Sequence, residues 1–259
     1  MFIFIIWTNS YCQLKVVSWN LCNFGKSKSQ KEIEFIANII QHADILAIQE
    51  VSVSFYGAQA VAKLANELNR KGINWQYAVS NPTDGKGSER YAYLWKPSRV
   101  KMVSKPWLEK NLHASIEREP FLSRFEYNGK KILLATIHAI PTSKNPSKEC
   151  RCLYKIHDQY LKEKLIILGD FNLCQTDCAF QNLRKYGFVS ALSGIKTTIK
   201  MKPKKGEKFA HDYDNIFYEK SDMICLHSGI MDFTNSFQTL KEARAISDHL
   251  PVYMNLNIK

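Results

Sequence analysis

Four apolar runs along the chain each stop at a polar residue that does not belong in a strand interior. Val16-Val17-Ser18-Trp19 stops at Asn20, and Ile45-Leu46-Ala47-Ile48-Gln49 stops at Glu50. The run from Ile132 to Ile137 stops at His138, and that from Leu165 to Gly169 stops at Asp170, with Asn172 close behind. In a fifth place the order is reversed, and Asp248-His249 stands before the alternating stretch Val252-Tyr253-Met254-Asn255-Leu256. Short apolar runs bounded in this way predict buried strands. Between them, Ile33, Ile36, Ile39 and Ile40 recur at helical spacing, as do Val61, Leu64 and Leu68 within 58–70. From Trp75 to His138 the pattern is richer in strands, with Asn128-Gly129 marking a hairpin between Phe121–Tyr127 and Lys131–Ile137. Helical character is expected again over 148–162 and 177–186.

Strand–helix units therefore occur in both halves of the chain and alternate with hairpins. Two mixed sheets packed face to face, with helices outside, accommodate that order as one α/β (α+β) domain over residues 13–259. The lysine-, proline- and glycine-rich stretch 196–208 is expected to be a surface loop.

Composition adds a partner class. The chain has 259 residues with 36 Lys+Arg against 24 Asp+Glu, a net charge of +12. That surplus favours a polyanion, nucleic acid first because phosphate neutralisation releases counterions, and anionic lipid second. The opening Met1-Phe2-Ile3-Phe4-Ile5-Ile6-Trp7 is too short to span a bilayer. With Ser10 and Cys12 before Gln13 it reads as a short or truncated signal over 1–12, which implies a secreted or periplasmic protein; without such a signal the protein is cytoplasmic. Removal of Cys12 would leave six of the seven cysteines, whose spacings match no zinc site.

Strand ends are rigid mounts, and several from one sheet can converge on one cleft. Singly, each of these polar residues reads as a turn cap. Together they supply hard oxygen ligands suited to magnesium or calcium and imidazoles able to move a proton near neutral pH.

The segments Ser18-Trp19-Asn20, Gln49-Glu50-Val51, Gly169-Asp170-Phe171-Asn172 and Ser247-Asp248-His249-Leu250-Pro251 resemble the signature blocks of the endonuclease/exonuclease/phosphatase superfamily. Ser88-Glu89-Arg90-Tyr91, Arg118-Glu119-Pro120-Phe121 and Asp212-Tyr213-Asp214 place the resemblance nearest its deoxyribonuclease I branch, in family order from about residue 15 to 256. The resemblance implies a four-layered sandwich of two packed mixed β-sheets flanked by helices. It also implies a monomeric metal-dependent endonuclease acting on DNA, single- or double-stranded, with Mg2+ as cofactor, Mn2+ as substitute and Ca2+ in support. Glu50, Asn20 and Asp248 correspond to metal-site residues. Glu89, His138, Asp214, His249, Asp170 and Asn172 correspond to catalytic ones, His249 working with Asp214 and His138 with Glu89. Arg118, together with Asn172, corresponds to substrate-binding residues.

The pattern departs from that branch in three places. Ser52 stands where an arginine enters the minor groove, and Gly87 where a tyrosine stacks on deoxyribose. Cys174 has no partner cysteine just before Asp212. Lys196, Lys200, Lys202, Lys204, Lys205 and Lys208 offer a compensating basic stretch. Two other readings use the same residues. One is a phosphoesterase of the same superfamily acting on a phospholipid, an inositol phosphate or an abasic site; the other is a catalytically inactive nucleic-acid-binding protein.

Overall fold

The computed structural model describes residues 13–259, so the expected signal segment 1–12 lies outside the described residues. In chain order the first half runs β1 (Leu14–Phe24), α1 (Gln30–Ile40), β2 (Ile45–Val51), α2 (Phe55–Arg70), β3 (Gln76–Val79) and β4 (Arg90–Trp95). It continues through β5 (Lys101–Met102), β6 (Trp107–Leu108), β7 (Phe121–Tyr127) and β8 (Lys130–His138). The second half holds α3 (Ser147–Cys150), α4 (Tyr154–Gln159), β9 (Leu165–Asp170), α5 (Gln181–Lys185) and β10 (Phe188–Ser190). It ends with β11 (Ile199–Lys204), β12 (Glu207–Phe209), β13 (Asp214–Glu219), β14 (Met223–Ile230), α6 (Leu240–Ile246) and β15 (Val252–Ile258).

Two mixed sheets form the centre. One has the order β14-β15-β1-β2-β4-β3; the other runs β10-β13-β9-β8-β7-β5, with β6 also against β7. Period-two alternation sends neighbouring side chains to opposite faces and thereby makes the layers. Val16, Ile45, Ala47 and Tyr93 point inward to meet Phe125, Leu134, Ile166 and Leu168 from the other sheet. Val17, Trp19, Leu46 and Ile48 point outward against Ile33, Ile36, Val61, Leu64 and Ala243 of the flanking helices. On the far side, Leu133, Ala135, Ile137 and Ile167 pack on Leu153, Ile156, Phe180 and Leu183. Three apolar interfaces separate four layers, as a four-layered α/β sandwich requires.

Several expectations change in detail. The helical stretch 148–162 is two short helices, α3 and α4, and 177–186 is a 3-10 turn followed by α5. The stretch 196–208 is not a loop. Ile199–Lys204 and Glu207–Phe209 pair antiparallel as a hairpin, turned by Lys205 and Gly206 at φ +53° and +79°. Two consecutive positive φ values are what a tight hairpin turn demands, and lysine's polarity hides that signal. Asn128 and Gly129 turn β7 into β8 in the same way, at φ +49° and +75°.

The sheet topology gathers the strand ends. β1 and β2 pair in parallel, as do β8 and β9, so Asn20 lies opposite Gln49 and His138 opposite Asp170. Their antiparallel neighbours begin where these strands end: β4 just after Glu89, β13 at Asp214 and β15 just after His249. Buried Gln49 then joins the sheets, its Nε2 donating to Ser18 Oγ at 3.0 Å and to Thr136 Oγ1 at 2.7 Å.

Candidate active site

The ends from both sheets open into a cleft of about 660 Å3, lined by Glu50, Glu89, Arg118, His138, Asp170, Asn172 and His249 among others. Asp170 sits at its centre and is 1% exposed. Its Oδ2 lies 3.4 Å from Nε2 of His138 and 3.6 Å from Nε2 of His249. Each imidazole is held from behind by its own carboxylate. His138 Nδ1 is 2.8 Å from Glu89 Oε2, and His249 Nδ1 is 2.8 Å from Asp214 Oδ2. A carboxylate on Nδ1 fixes the ring and its tautomer and leaves Nε2 to work.

Each holder is itself held. Thr197 Oγ1 donates to Asp214 Oδ2 at 2.6 Å, and Arg118 Nη1 donates to Glu89 Oε2 at 3.3 Å. Arg118 is buried, and its other nitrogens donate to the carbonyls of His138 and Ala139. It forms part of the cleft floor and spends most of its hydrogen bonds inside the protein. That differs from a freely projecting phosphate-binding arginine.

On the opposite wall, Asn20 Nδ2 donates to Glu50 Oε1 at 2.9 Å and to Asp170 Oδ2 at 3.1 Å, bridging the two sheets' carboxylates. Its amide oxygen accepts from the Cys22 backbone. Glu50 and Asn172 both occupy the left-handed backbone region, at φ +58° and +48°. Such a conformation is uncommon for glutamate and is kept where surrounding structure over-determines it. The Asn23 backbone donates to Glu50 Oε2 at 2.9 Å. The Asn172 N–H donates to Asp170 Oδ1 at 2.9 Å, and its side chain to Ala139 O at 3.0 Å. Asp248 pairs with Arg244 at 3.2 Å.

Charge in the site is strongly coupled. Burial opposes protonation of His249, but Asp214 and Asp170 outweigh it and push its pKa up to about 10. Burial lifts the Asp214 carboxyl against the pull of His249, so the pair as a unit holds its proton tightly. His138 is likewise raised, Glu89 and Asp170 overcoming the cost of burial. Burial also disfavours the Asp170 carboxylate, yet the two imidazoles hold its pKa below the usual range.

Hard carboxylate oxygens suit a divalent cation of the magnesium type. Two groupings offer them. The ligand atoms of Asp170, Asp214 and His249 lie within 4.8 Å of one another; a cation taking Asp214 Oδ2 or His249 Nδ1 there would break the hydrogen bond between them. Glu50 and Asp170, brought together by the Asn20 amide, offer carboxylate oxygens outside the His249–Asp214 pair.

The endonuclease/exonuclease/phosphatase family pattern matches residues 17–249. The chain belongs to that family. Deoxyribonuclease-1-like 1 of Sus scrofa is 28% identical over 94% of this chain and 81% of its own length. Deoxyribonuclease-1 of Ovis aries is 26% identical over 94% of this chain and 100% of its own. An endonuclease/exonuclease/phosphatase from Bacteroides vulgatus shares the fold with a TM-score of 0.70 at 15% identity, covering 95% of this chain and 99% of that one. The chain is thus a hydrolase of the nuclease and phosphoesterase family, resembling deoxyribonuclease I.

Sequence reasoning missed the supports behind the family residues. Thr197 is an ordinary letter, and Gln49 and Arg118 belong to motifs already read, but that they anchor the site is visible only once the fold shows whom they touch. His211, the histidine nearest Asp214 in sequence, stacks on Tyr213 and gives its carbonyl to Thr197. His157 packs on Tyr186.

Proposed function

We propose that the chain is a divalent-metal-dependent endonuclease that hydrolyses phosphodiester bonds in DNA. The observation that carries this reading is the pair of carboxylate-held imidazoles whose Nε2 atoms converge on Asp170 at 3.4 and 3.6 Å. Hydrolysis needs one group to take a proton and another to give one, on opposite sides of a phosphorus atom. In this assignment Nε2 of His249 takes a proton from water as its oxygen attacks phosphorus, and Asp214 steadies the imidazolium; the ring must be neutral to do so, and a cation held at Asp170 would offset the negative charge that otherwise keeps its pKa up at about 10. The ester P–O bond breaks on the other side, and His138, held by Glu89, gives its Nε2 proton to the departing oxygen. Asn172 lines the cleft where the non-bridging phosphoryl oxygens would lie.

Glu50 and Asp170 would hold the cation, with Asn20 fixing their spacing. Mg2+ matches these donors, Mn2+ is a substitute and Ca2+ a supporting ion. When bound, the cation supplies positive charge for the phosphoryl oxygens. Asp248, engaged by Arg244 at 3.2 Å, would add negative charge to the cation's surroundings.

DNA as substrate is supported by the named deoxyribonuclease relatives aligned over 94% of the chain. Lys26 and Lys86 at the cleft and the net charge of +12 point the same way. Supercoiled plasmid nicking should exceed hydrolysis of sphingomyelin and phosphoinositides under the same magnesium conditions. The opposite order would assign the site to a lipid phosphoester.

A further inference from the structure

Beside the cleft, the first turn of α2 exposes two large aromatic side chains. Phe55 is 77% exposed and Tyr56 is 44% exposed. The rings meet edge to face at 6.2 Å, and Lys26 Nζ lies 5.4 Å from the Tyr56 centroid. Such exposure is costly in water and needs a reason, because apolar surface next to a polar cleft is a common mark of a ligand. The platform is also continuous with the cleft, whose wall includes Lys26, Ser52, Val53 and Ser54.

The platform is held firmly. Gly57 packs so close to the chain leaving Glu50 that a Cβ there would sit 1.9 Å from Ser52 O. The aromatic turn is therefore fixed to the same segment that carries Glu50. Around it the cleft is lined in part by the small residues Ser52 and Gly87.

We propose that the exposed Phe55 ring, braced edge to face by Tyr56, stacks an unpaired nucleobase while Lys26 contacts its flanking phosphate, so that the preferred substrate is single-stranded or locally unpaired DNA. The inference rests on the endonuclease reading and names its substrate class. An aromatic face accepts any base once that base is unstacked, whereas a paired base hides both of its own faces in the duplex. A neighbouring lysine complements the phosphate that accompanies each base. Small residues at Ser52 and Gly87 place no side chain in position to wedge a duplex groove.

The test measures binding of a fluorescein-labelled single-stranded oligonucleotide, and of its duplex, by anisotropy in chelator. Plasmid and single-strand cleavage in magnesium are followed in parallel. Phe55→Ala and Tyr56→Ala should each weaken single-strand binding by about tenfold, Phe55→Trp should retain it, and duplex binding should move by less than twofold, a contrast expected from base stacking. Thermal midpoints identical to the parent would show that the variants fold. Equal losses on both DNA forms, or none on either, would overturn the inference, as would a parent protein that does not bind the single strand. Sedimentation giving a dimer that Phe55→Ala dissociates, with DNA binding unchanged, would make the patch a self-association face instead. Failure of the endonuclease reading is separate, appearing as absent cleavage of both DNA forms with binding intact.

Discussion

At the residue scale the site is a concentration of negative charge that the buried imidazole of His138 and the half-buried one of His249 partly balance. His249 has three functional neighbours: Asp214 on Nδ1, Asp170 facing Nε2, and the cleft. His249→Ala and His138→Ala should each leave the fold intact and lower cleavage by at least about a hundredfold, the usual worth of a placed acid or base. Circular dichroism with initial rates checks this, and near-parental activity in either variant would remove its assigned role. The raised pKa of His249 also has a sign. A group whose folded pKa exceeds its unfolded value near 6.5 stabilises fully below that value. That stabilisation is lost as pH rises through about 10. In chelator, the unfolding free energy of the parent should therefore fall between roughly pH 6.5 and 10 by more than that of His249→Ala. Parallel pH profiles would contradict the ion pairing. Glu50 combines a left-handed backbone with a bridge through the Asn20 amide to a second carboxylate, Asp170. Glu50→Gln should keep or raise stability in chelator while weakening magnesium binding at least about tenfold, a trade typical of functional sites. Calorimetric titration of the metal reads the second effect directly.

At the element scale, the parallel pairs β1–β2 and β8–β9 decide where chemistry can occur, and this much was legible in the sequence. Asn20, Glu50, His138 and Asp170 each interrupt an apolar run, and a polar residue just past a buried strand must point somewhere polar. The β11–β12 hairpin was not legible, because the alternation of Ile199 and Met201 with lysines looks like a solvated stretch until Thr198 is seen bridging to His249. Arg118 was readable as a site residue from its motif, but not as an anchor, since no pattern in sequence reports that a guanidinium is buried against Glu89. Gly169 shows why a strand end can be so tightly specified. It has φ +143°, and a Cβ would fall 1.9 Å from Ile137 O in the parallel neighbour. Gly169→Ala should cost more than about 2 kcal/mol by forcing β8 and β9 apart. Urea unfolding measures it, and a change below about 0.5 kcal/mol would mean the strands accommodate the methyl group. The lysine hairpin carries its own expectation. Lys196 and Lys200 are already paired with Glu207, which leaves Lys202, Lys204 and Lys205 as the exposed cations. Replacing those three with glutamine should reduce the salt dependence of DNA binding by about one unit of slope for each phosphate no longer neutralised. An unchanged slope would put the hairpin outside the DNA path.

At the scale of the whole molecule, two sheets with separate outer cores meet across one inner core, and the candidate machinery straddles their shared edge. Asn20, Glu50 and Glu89 come from the first sheet and its flanks, as does His249; His138, Asp170 and Asp214 come from the second. Gln49 and Asn20 bind one sheet to the other beside the His138–Glu89 and His249–Asp214 pairs, which cross between them as well. We take this edge to be a single cation-dependent hydrolytic centre with His249 as its base. The decisive experiment is cleavage of supercoiled plasmid by parent and His249→Ala proteins, in magnesium, in chelator, and after magnesium is restored. Nicking by the parent should vanish in chelator and return with magnesium, and His249→Ala should be at least about a hundredfold slower whenever magnesium is present. Undiminished nicking in chelator, or by the His249→Ala protein, would contradict a cation-assisted reaction driven by that imidazole.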